Sequence, residues 1–159
     1  MVANAMVSYA TIYKGENAMG NIIAYIRGIS RWGRQYRTEA LEPLGLKGCH
    51  GWYLREICQN PGICQEQLTE SIQVNKSNVA RQVAALEEAG FLERRACGKD
   101  RRLLRLYPTQ KTLELMPKID AILDGWEAML LQDLTEDELA QLEQLLWKLH
   151  SRAAAATEE

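Results

Sequence analysis

The sequence predicts a mainly α-helical chain with one small β element, of two or three strands, set between its helices. Three observations carry this. Apolar residues recur at three- and four-residue steps through most of the chain, the period of an amphipathic helix. Only over residues 92–107 does the pattern turn to alternation about a Gly-containing turn. Pro and Gly cluster at Pro43–Gly45, Pro61–Gly62, Gly90 and Pro108, which cuts the helical pattern into separate elements.

With 159 residues, nearly half apolar and a quarter charged, the chain is expected to form a single domain over residues 1–159 with a real core. No apolar run is long enough to span a bilayer, and the first residues lack the basic start and apolar stretch of a signal peptide, so a cytoplasmic protein is expected. The four cysteines, at 49, 58, 64 and 97, have neither zinc-knuckle nor C-x-x-C spacing and are expected as free thiols.

Residues 1–14 read as a weakly polar arm. From Asn17 to Ala40, Met19, Ile22, Ile23, Ile26, Ile29 and Trp32 mark a helix, which Gly20, Gly28 and Gly33 each weaken by roughly 1 kcal/mol relative to Ala. Glu42-Pro43-Leu44-Gly45 breaks it, and a second helix is expected over Lys47–Gln59, up to the turn at Asn60-Pro61-Gly62. A short helix, Gln65–Ile72, turns Leu68 and Ile72 inward and has Cys64 at its N-cap, where Ser, Thr or Asp would be usual. Val74-Asn75 forms a tight link in which Asn75 caps the helix Lys76–Ala89, and Gly90 ends that helix as its C′ residue.

Leu92–Cys97 and Arg102–Tyr107 are strands about the turn Gly98-Lys99-Asp100-Arg101, and Pro108 ends the ladder. Thr109 caps a long helix along which Leu115, Ile119, Ile122, Trp126 and Met129 step by four and three, with Pro117 in its first turns or at a kink. Thr135 and Glu138 make a capping box for a last helix bearing Leu139, Leu142, Leu146 and Leu149, with a frayed tail from Ala153. Two adjacent seams of heptad type on these last two helices call for helical partners, which points to dimerisation, the alternative being that the two helices pack on each other.

The order helix, short helix, tight turn, helix, strand, turn, strand over residues 46–107 is that of a winged helix-turn-helix, here flanked by helices on both sides. The net charge of −2 conceals +4 between Lys76 and Arg105 and −6 elsewhere, a basic island suited to a polyanion. On the helix Lys76–Ala89, Val79, Val83 and Leu86 form one face, while Asn78, Arg81 and Gln82 lie on the other. Arg can pair with guanine N7 and O6, and Asn or Gln with adenine N6 and N7; Lys76 and Ser77 sit at the N-terminus, where backbone N–H groups suit a phosphate. Lys99, Arg101 and Arg102 would carry the hairpin's cations outward, toward the negative potential of a minor groove, with Asp100 as an internal brace of the turn.

Asn75-Lys76-Ser77-Asn78-Val79-Ala80-Arg81, Leu86-Glu87-Glu88-Ala89-Gly90-Phe91-Leu92-Glu93-Arg94-Arg95 and Lys99-Asp100-Arg101-Arg102 together resemble the MarR (multiple-antibiotic-resistance regulator) family, Asp100 and Arg102 standing at its D-x-R wing signature. Leu44-Gly45-Leu46 and Thr135-Glu136-Asp137-Glu138 also fit, so the resemblance spans roughly residues 17–150. The helix after the wing departs from the family's Leu-Thr-x-x-Gly start, reading Pro108-Thr109-Gln110-Lys111-Thr112. The resemblance implies a homodimeric transcriptional repressor, dimerised through residues 17–42 and 109–152, on a pseudo-palindromic double-stranded DNA operator. It also implies release by a small aromatic or phenolic effector bound between the dimer region and the winged lobe.

His50 and Trp52, with Gly48 and Gly51 leaving room beside them, are the candidate effector residues; the bland alternative is a surface His and a core Trp. Cys64, at a helix N-terminus, and Cys97, beside the basic hairpin, are the candidate redox thiols, set against inert ones. With two His in all and no nucleophile-elbow, zincin or phosphate-loop motif, neither catalysis nor a metal or cofactor is expected. The remaining alternative is a winged helix that docks a protein, which would have little use for six cations on its wing.

Overall fold

The computed structural model describes the backbone of residues 18–97 and 100–156 and the side chains of residues 21–96 and 104–156. The expected arm at residues 1–14 and the hairpin tip Gly98-Lys99 lie outside the described residues. What is described forms two compact units, one through Ile122 and one from Leu123.

In the first unit, helix α1 (Ala18–Leu41) passes into a 3-10 turn over Glu42–Leu44, with Pro43 in the turn where its missing N–H costs nothing. Helix α2 (His50–Gln59) starts three residues later than the expected Lys47, because residues 47–49 form a turn closed by the His50 N–H on Lys47 O at 2.9 Å. Gly48 lies in that turn against α1. A Cβ there would run into Thr38 Oγ1 and sit 3.0 Å from Thr38 N and 3.2 Å from Arg34 O. The space that Gly48 was expected to leave is therefore filled by α1, and any larger residue would push the two segments apart.

A two-residue strand, β1 (Ile63–Cys64), precedes helix α3 (Gln65–Ile72). Gln67 Oε1 accepts the Cys64 N–H at 3.1 Å, so the helix start is tied from the third helical position at a cap where a hydroxyl or carboxylate is missing. Asn75 Oδ1 accepts the Asn78 N–H at 2.8 Å and opens helix α4 (Lys76–Glu88). At its end Gly90, at φ 74, donates to Glu87 O at 2.9 Å while the Phe91 N–H reaches back to Leu86 O at 2.9 Å. This is a Schellman close, which needs a left-handed residue and so favours glycine there.

Strands β2 (Leu92–Cys97) and β3 (Asp100–Pro108) form an antiparallel hairpin, with Arg94 opposite Leu106 and a register shift at Ala96/Cys97. β1 adds to the other side of β3, giving a three-stranded sheet in the order β1-β3-β2. β3 begins at Asp100 rather than at the expected Arg102.

Helix α5 (Gln110–Leu131) follows at once and is anchored on the Schellman corner. Thr109 Oγ1 donates to Gly90 O at 2.8 Å, and Lys111 Nζ donates to Ala89 O at 3.0 Å while lying 3.8 Å over the Phe91 ring. The core of this unit is Tyr53, Leu54, Ile57, Leu68, Val79, Val83, Leu86, Phe91, Leu92, Leu106 and Ile119, all buried. Burying each large apolar side chain is worth about 1.5–3 kcal/mol, which fixes α4 face-down on α2 and α3.

In the second unit, the end of α5 is followed by helix α6 (Glu136–Ala155). The expected capping box is present: the Thr135 N–H donates to Glu138 Oε2 at 2.8 Å and the Glu138 N–H to Thr135 Oγ1 at 3.3 Å. α6 continues through Ala155, past the expected fraying point at Ala153, because a run of alanines carries the highest helix propensity. No residue of α6 is buried. Among the described residues, no helix is long and apolar enough to cross a membrane.

Candidate nucleic-acid interface

The buried residues of α4 decide which of its side chains face outward. With Val79, Val83 and Leu86 at zero exposure, Lys76, Ser77 and Arg81 are exposed and Asn78 and Gln82 half-buried. Ser77 Oγ donates to Asn75 Oδ1 at 3.0 Å, which keeps the cap and the first turn together. The exposed first turn offers the positive end of the helix dipole with Lys76 beside it, the setting in which a phosphate is favoured.

The half-buried pair belongs to a hydrogen-bonded chain. Lys47 N–H donates to His50 Nδ1 at 3.2 Å, His50 Nε2 stands 3.1 Å from Gln82 Oε1, and Gln82 Nε2 donates to Asn78 Oδ1 at 3.2 Å. His50 is buried, and that burial holds its pKa below the ordinary imidazole value of 6.5 despite the bond to Gln82. Nearby, burial raises the pKa of the Tyr53 phenol, while the charge of Arg81 works against the rise. The two polar candidates of α4 are thus held by a residue that the sequence assigned to an effector site.

The basic hairpin divides into two groups. Arg94 pairs with Glu87 at 3.4 Å, Arg95 pairs with Glu93 while stacking 4.5 Å from the Tyr107 ring, and Arg105 donates to Gly62 O at 2.8 Å. Three of the six cations are therefore engaged inside the lobe. The other three, Lys99, Arg101 and Arg102, have side chains outside the described residues, as do the brace Asp100 and the thiol Cys97. The backbone of Asp100, Arg101 and Arg102 belongs to strand β3, which pairs with β2.

Trp52 is half-buried, and the Arg55 guanidinium lies 5.4 Å over its ring. Arg55 in turn donates to Asp120 Oδ1 at 2.7 Å and to Asp120 O at 3.3 Å, clamping α2 to α5. His50 and Trp52 are neighbours in sequence but have different partners: α4 for His50, the Arg55–Asp120 pair for Trp52. Sequence reasoning missed both links, which join positions 32 and 65 residues apart. Cys49, Cys58 and Cys64 are free; burial and the nearby Asp120 push the Cys58 thiol up to about 11, so it stays protonated. Among the described residues, no group of three His, Cys, Asp or Glu side chains is gathered as metal ligands.

The comparisons with known proteins agree with this architecture. The MarR family's sequence model matches residues 52–104, the stretch from α2 into the hairpin. The structure of the transcriptional regulator SlyA superposes with a TM-score of 0.79 at 30% identity, covering 85% of this chain and 95% of that one. That of MarR superposes at 0.67 and 30% identity, covering 84% and 98%. A MarR-family transcriptional regulator from Listeria monocytogenes, solved in complex with a 26mer DNA, shares the fold at 0.74 and 24% identity, over 89% and 92%. On the identity and near-complete coverage of the first two, the chain belongs to the MarR family.

Proposed function

We propose that this protein is a homodimeric transcriptional regulator that binds a pseudo-palindromic double-stranded DNA operator, and is not an enzyme. The observation that carries the reading is the orientation of α4: Val79, Val83 and Leu86 are sealed in the core, so Lys76, Ser77 and Arg81 face outward from a capped helix N-terminus. Arg81 reads a guanine edge, Asn78 and Gln82 contribute beside it, and Lys76 and Ser77 meet phosphates. Lys99, Arg101 and Arg102 serve the wing and Asp100 braces it. Two such lobes meet successive major grooves about 34 Å apart.

The dimer is supported by apolar surface on the end helices. Ile22, Ile23, Ile26, Ile29 and Trp32 on α1, and Leu142, Leu145, Leu146 and Leu149 on α6, are all exposed in a single chain. The division into dimerisation segments at residues 17–42 and 109–152 and a lobe at 46–107 belongs to the same proposal, as does a place in the cytoplasm. Repression relieved by a small aromatic or phenolic effector rests on the family resemblance. A rise in melting temperature with such compounds, together with loss of DNA binding, tests it.

The experiment for the main reading is selection of bound fragments from the source genome, with Arg81→Ala/Arg102→Ala protein as control. Enrichment of a pseudo-palindrome by the wild type alone supports the proposal. No enrichment by a stable dimer would overturn it in favour of a winged helix that docks a protein.

A further inference from the structure

The end helices carry opposite charge. α1 has four arginines and one carboxylate, whereas the stretch from Leu123 to Trp147 has seven carboxylates and no Lys or Arg. These charges border apolar seams that stay exposed in a single chain. On α1, helical spacing sets Arg27 and Arg34, both exposed, along one edge of the stripe Ile22, Ile26 and Ile29. On α6 it sets Glu136 and Glu143, also exposed, along one edge of the stripe Leu142, Leu146 and Leu149. Each pair is seven residues apart, about 10.5 Å along a helix, so the two rows have the same repeat. A recess of about 370 Å³, lined by Ile26, Arg27, Ser30, Arg31 and Arg34, opens beside the arginine row. Among the described residues, no ion pair engages Arg27, Arg34, Glu136 or Glu143.

We propose that in the dimer α1 of one protomer packs on α6 of its partner, with Arg27 and Arg34 paired to the carboxylates of Glu136 and Glu143 in the second copy. This rests on the reading of the chain as a homodimer and names how its end helices choose each other. Charges that flank an apolar seam decide which helix pairs with which. α1 against a second α1 would bring two arginine rows together, and α6 against a second α6 would bring two carboxylate rows together. The unlike pairing satisfies both rows, and a two-fold axis repeats it on the other side of the dimer. Exposed ion pairs are individually weak, so the isoleucine and leucine seams supply most of the strength and the charged rows supply the choice of partner.

The test is sedimentation equilibrium of the full-length wild type, Arg27→Glu/Arg34→Glu, Glu136→Arg/Glu143→Arg, and the variant carrying all four exchanges. The wild-type dimer should weaken as salt rises. Each double variant should dimerise about tenfold more weakly than the wild type or worse, because attraction becomes repulsion at every pair. An equimolar mixture of the two double variants should form a heterodimer about tenfold tighter than either homodimer or better, and the variant with all four exchanges should recover wild-type affinity. If a reversed variant does not fold, Arg27→Gln/Arg34→Gln takes its place and should dimerise more weakly than the wild type, with a smaller salt dependence. Double variants that dimerise as the wild type does would overturn the inference in favour of like helices pairing, and leave the homodimer standing. Rescue by the four exchanges but not by mixing would overturn it in favour of pairing within one chain. A monomeric wild type would remove both this inference and the homodimer proposal.

Discussion

Between α2 and the first half of α5, Leu54, Ile57, Leu68, Val79, Val83, Leu86 and Phe91 are sealed from solvent within one chain. On α1 and α6, Ile22, Ile23, Ile26 and Trp32, and Leu145, Leu146, Trp147 and Leu149, stand in contact with it; Trp147 is 67% exposed and no residue of α6 is buried. The two regions show similar helical periodicity in sequence, so amphipathicity alone does not tell them apart. What differs is whether the chain supplies the second surface. The lobe folds three helices and a sheet around its apolar faces, whereas a long helix bearing one apolar seam meets it only when another helix arrives. On the proposed function, the lobe holds a recognition surface rigid and the end helices bring two such surfaces to a fixed spacing.

The comparison breaks most visibly at the end helices. Leu146→Glu should convert the dimer to monomer in sedimentation experiments. It should also lower affinity for a two-half-site duplex by about a hundredfold or more, since the second lobe then binds without the benefit of tethering. A variant that stays dimeric would show that the α6 seam serves another purpose. Within the lobe, Leu86→Ala should cost about 2–5 kcal/mol in urea unfolding, the range for emptying a sealed leucine site. The same change at exposed Leu145 should cost far less in the monomeric background.

Finer differences separate the helix from the hairpin. Arg81→Ala should cost on the order of 1–3 kcal/mol on the selected site and relax preference at one base position. Arg102→Ala should weaken binding to every sequence alike and reduce the slope of log affinity against log salt by about 0.9. Anisotropy titrations of specific and scrambled duplexes at several salt concentrations distinguish the two outcomes.

The smallest effect is on pH dependence. His50 titrates below 6.5 in the folded chain because of burial, so the unfolded state takes up a proton first as pH falls. Its contribution to stability is complete above pH 6.5 and declines as pH drops toward the folded-state value. The urea midpoint should therefore fall more between neutral pH and about pH 5 in the wild type than in His50→Gln, which has no group titrating there.

The features legible in the sequence were those settled by neighbours in the chain. Asn75 as a cap, Gly90 as a C′ residue, the Thr135–Glu138 capping box and the hairpin after Phe91 each depend on residues within a turn or two. β1 was not legible, because two residues are too few to show alternation and its partner Leu106 lies over 40 positions away. The same holds for the site. The outward face of α4 could be read from helical spacing, whereas the bond from His50 to Gln82 joins two elements that only packing brings together. Composition likewise showed six cations on the hairpin, but the engagement of Arg94, Arg95 and Arg105 with Glu87, Glu93 and Gly62 O is a property of the folded surface.

The most direct measurement is a stoichiometric titration of duplexes in which two copies of the selected half-site are set at varied spacing. The account predicts two protomers per duplex, tightest binding with half-site centres about one helical turn apart, and a sharp loss when about half a turn is inserted. One protomer per duplex, or affinity indifferent to spacing, would contradict the claim that the end helices hold two recognition surfaces in register.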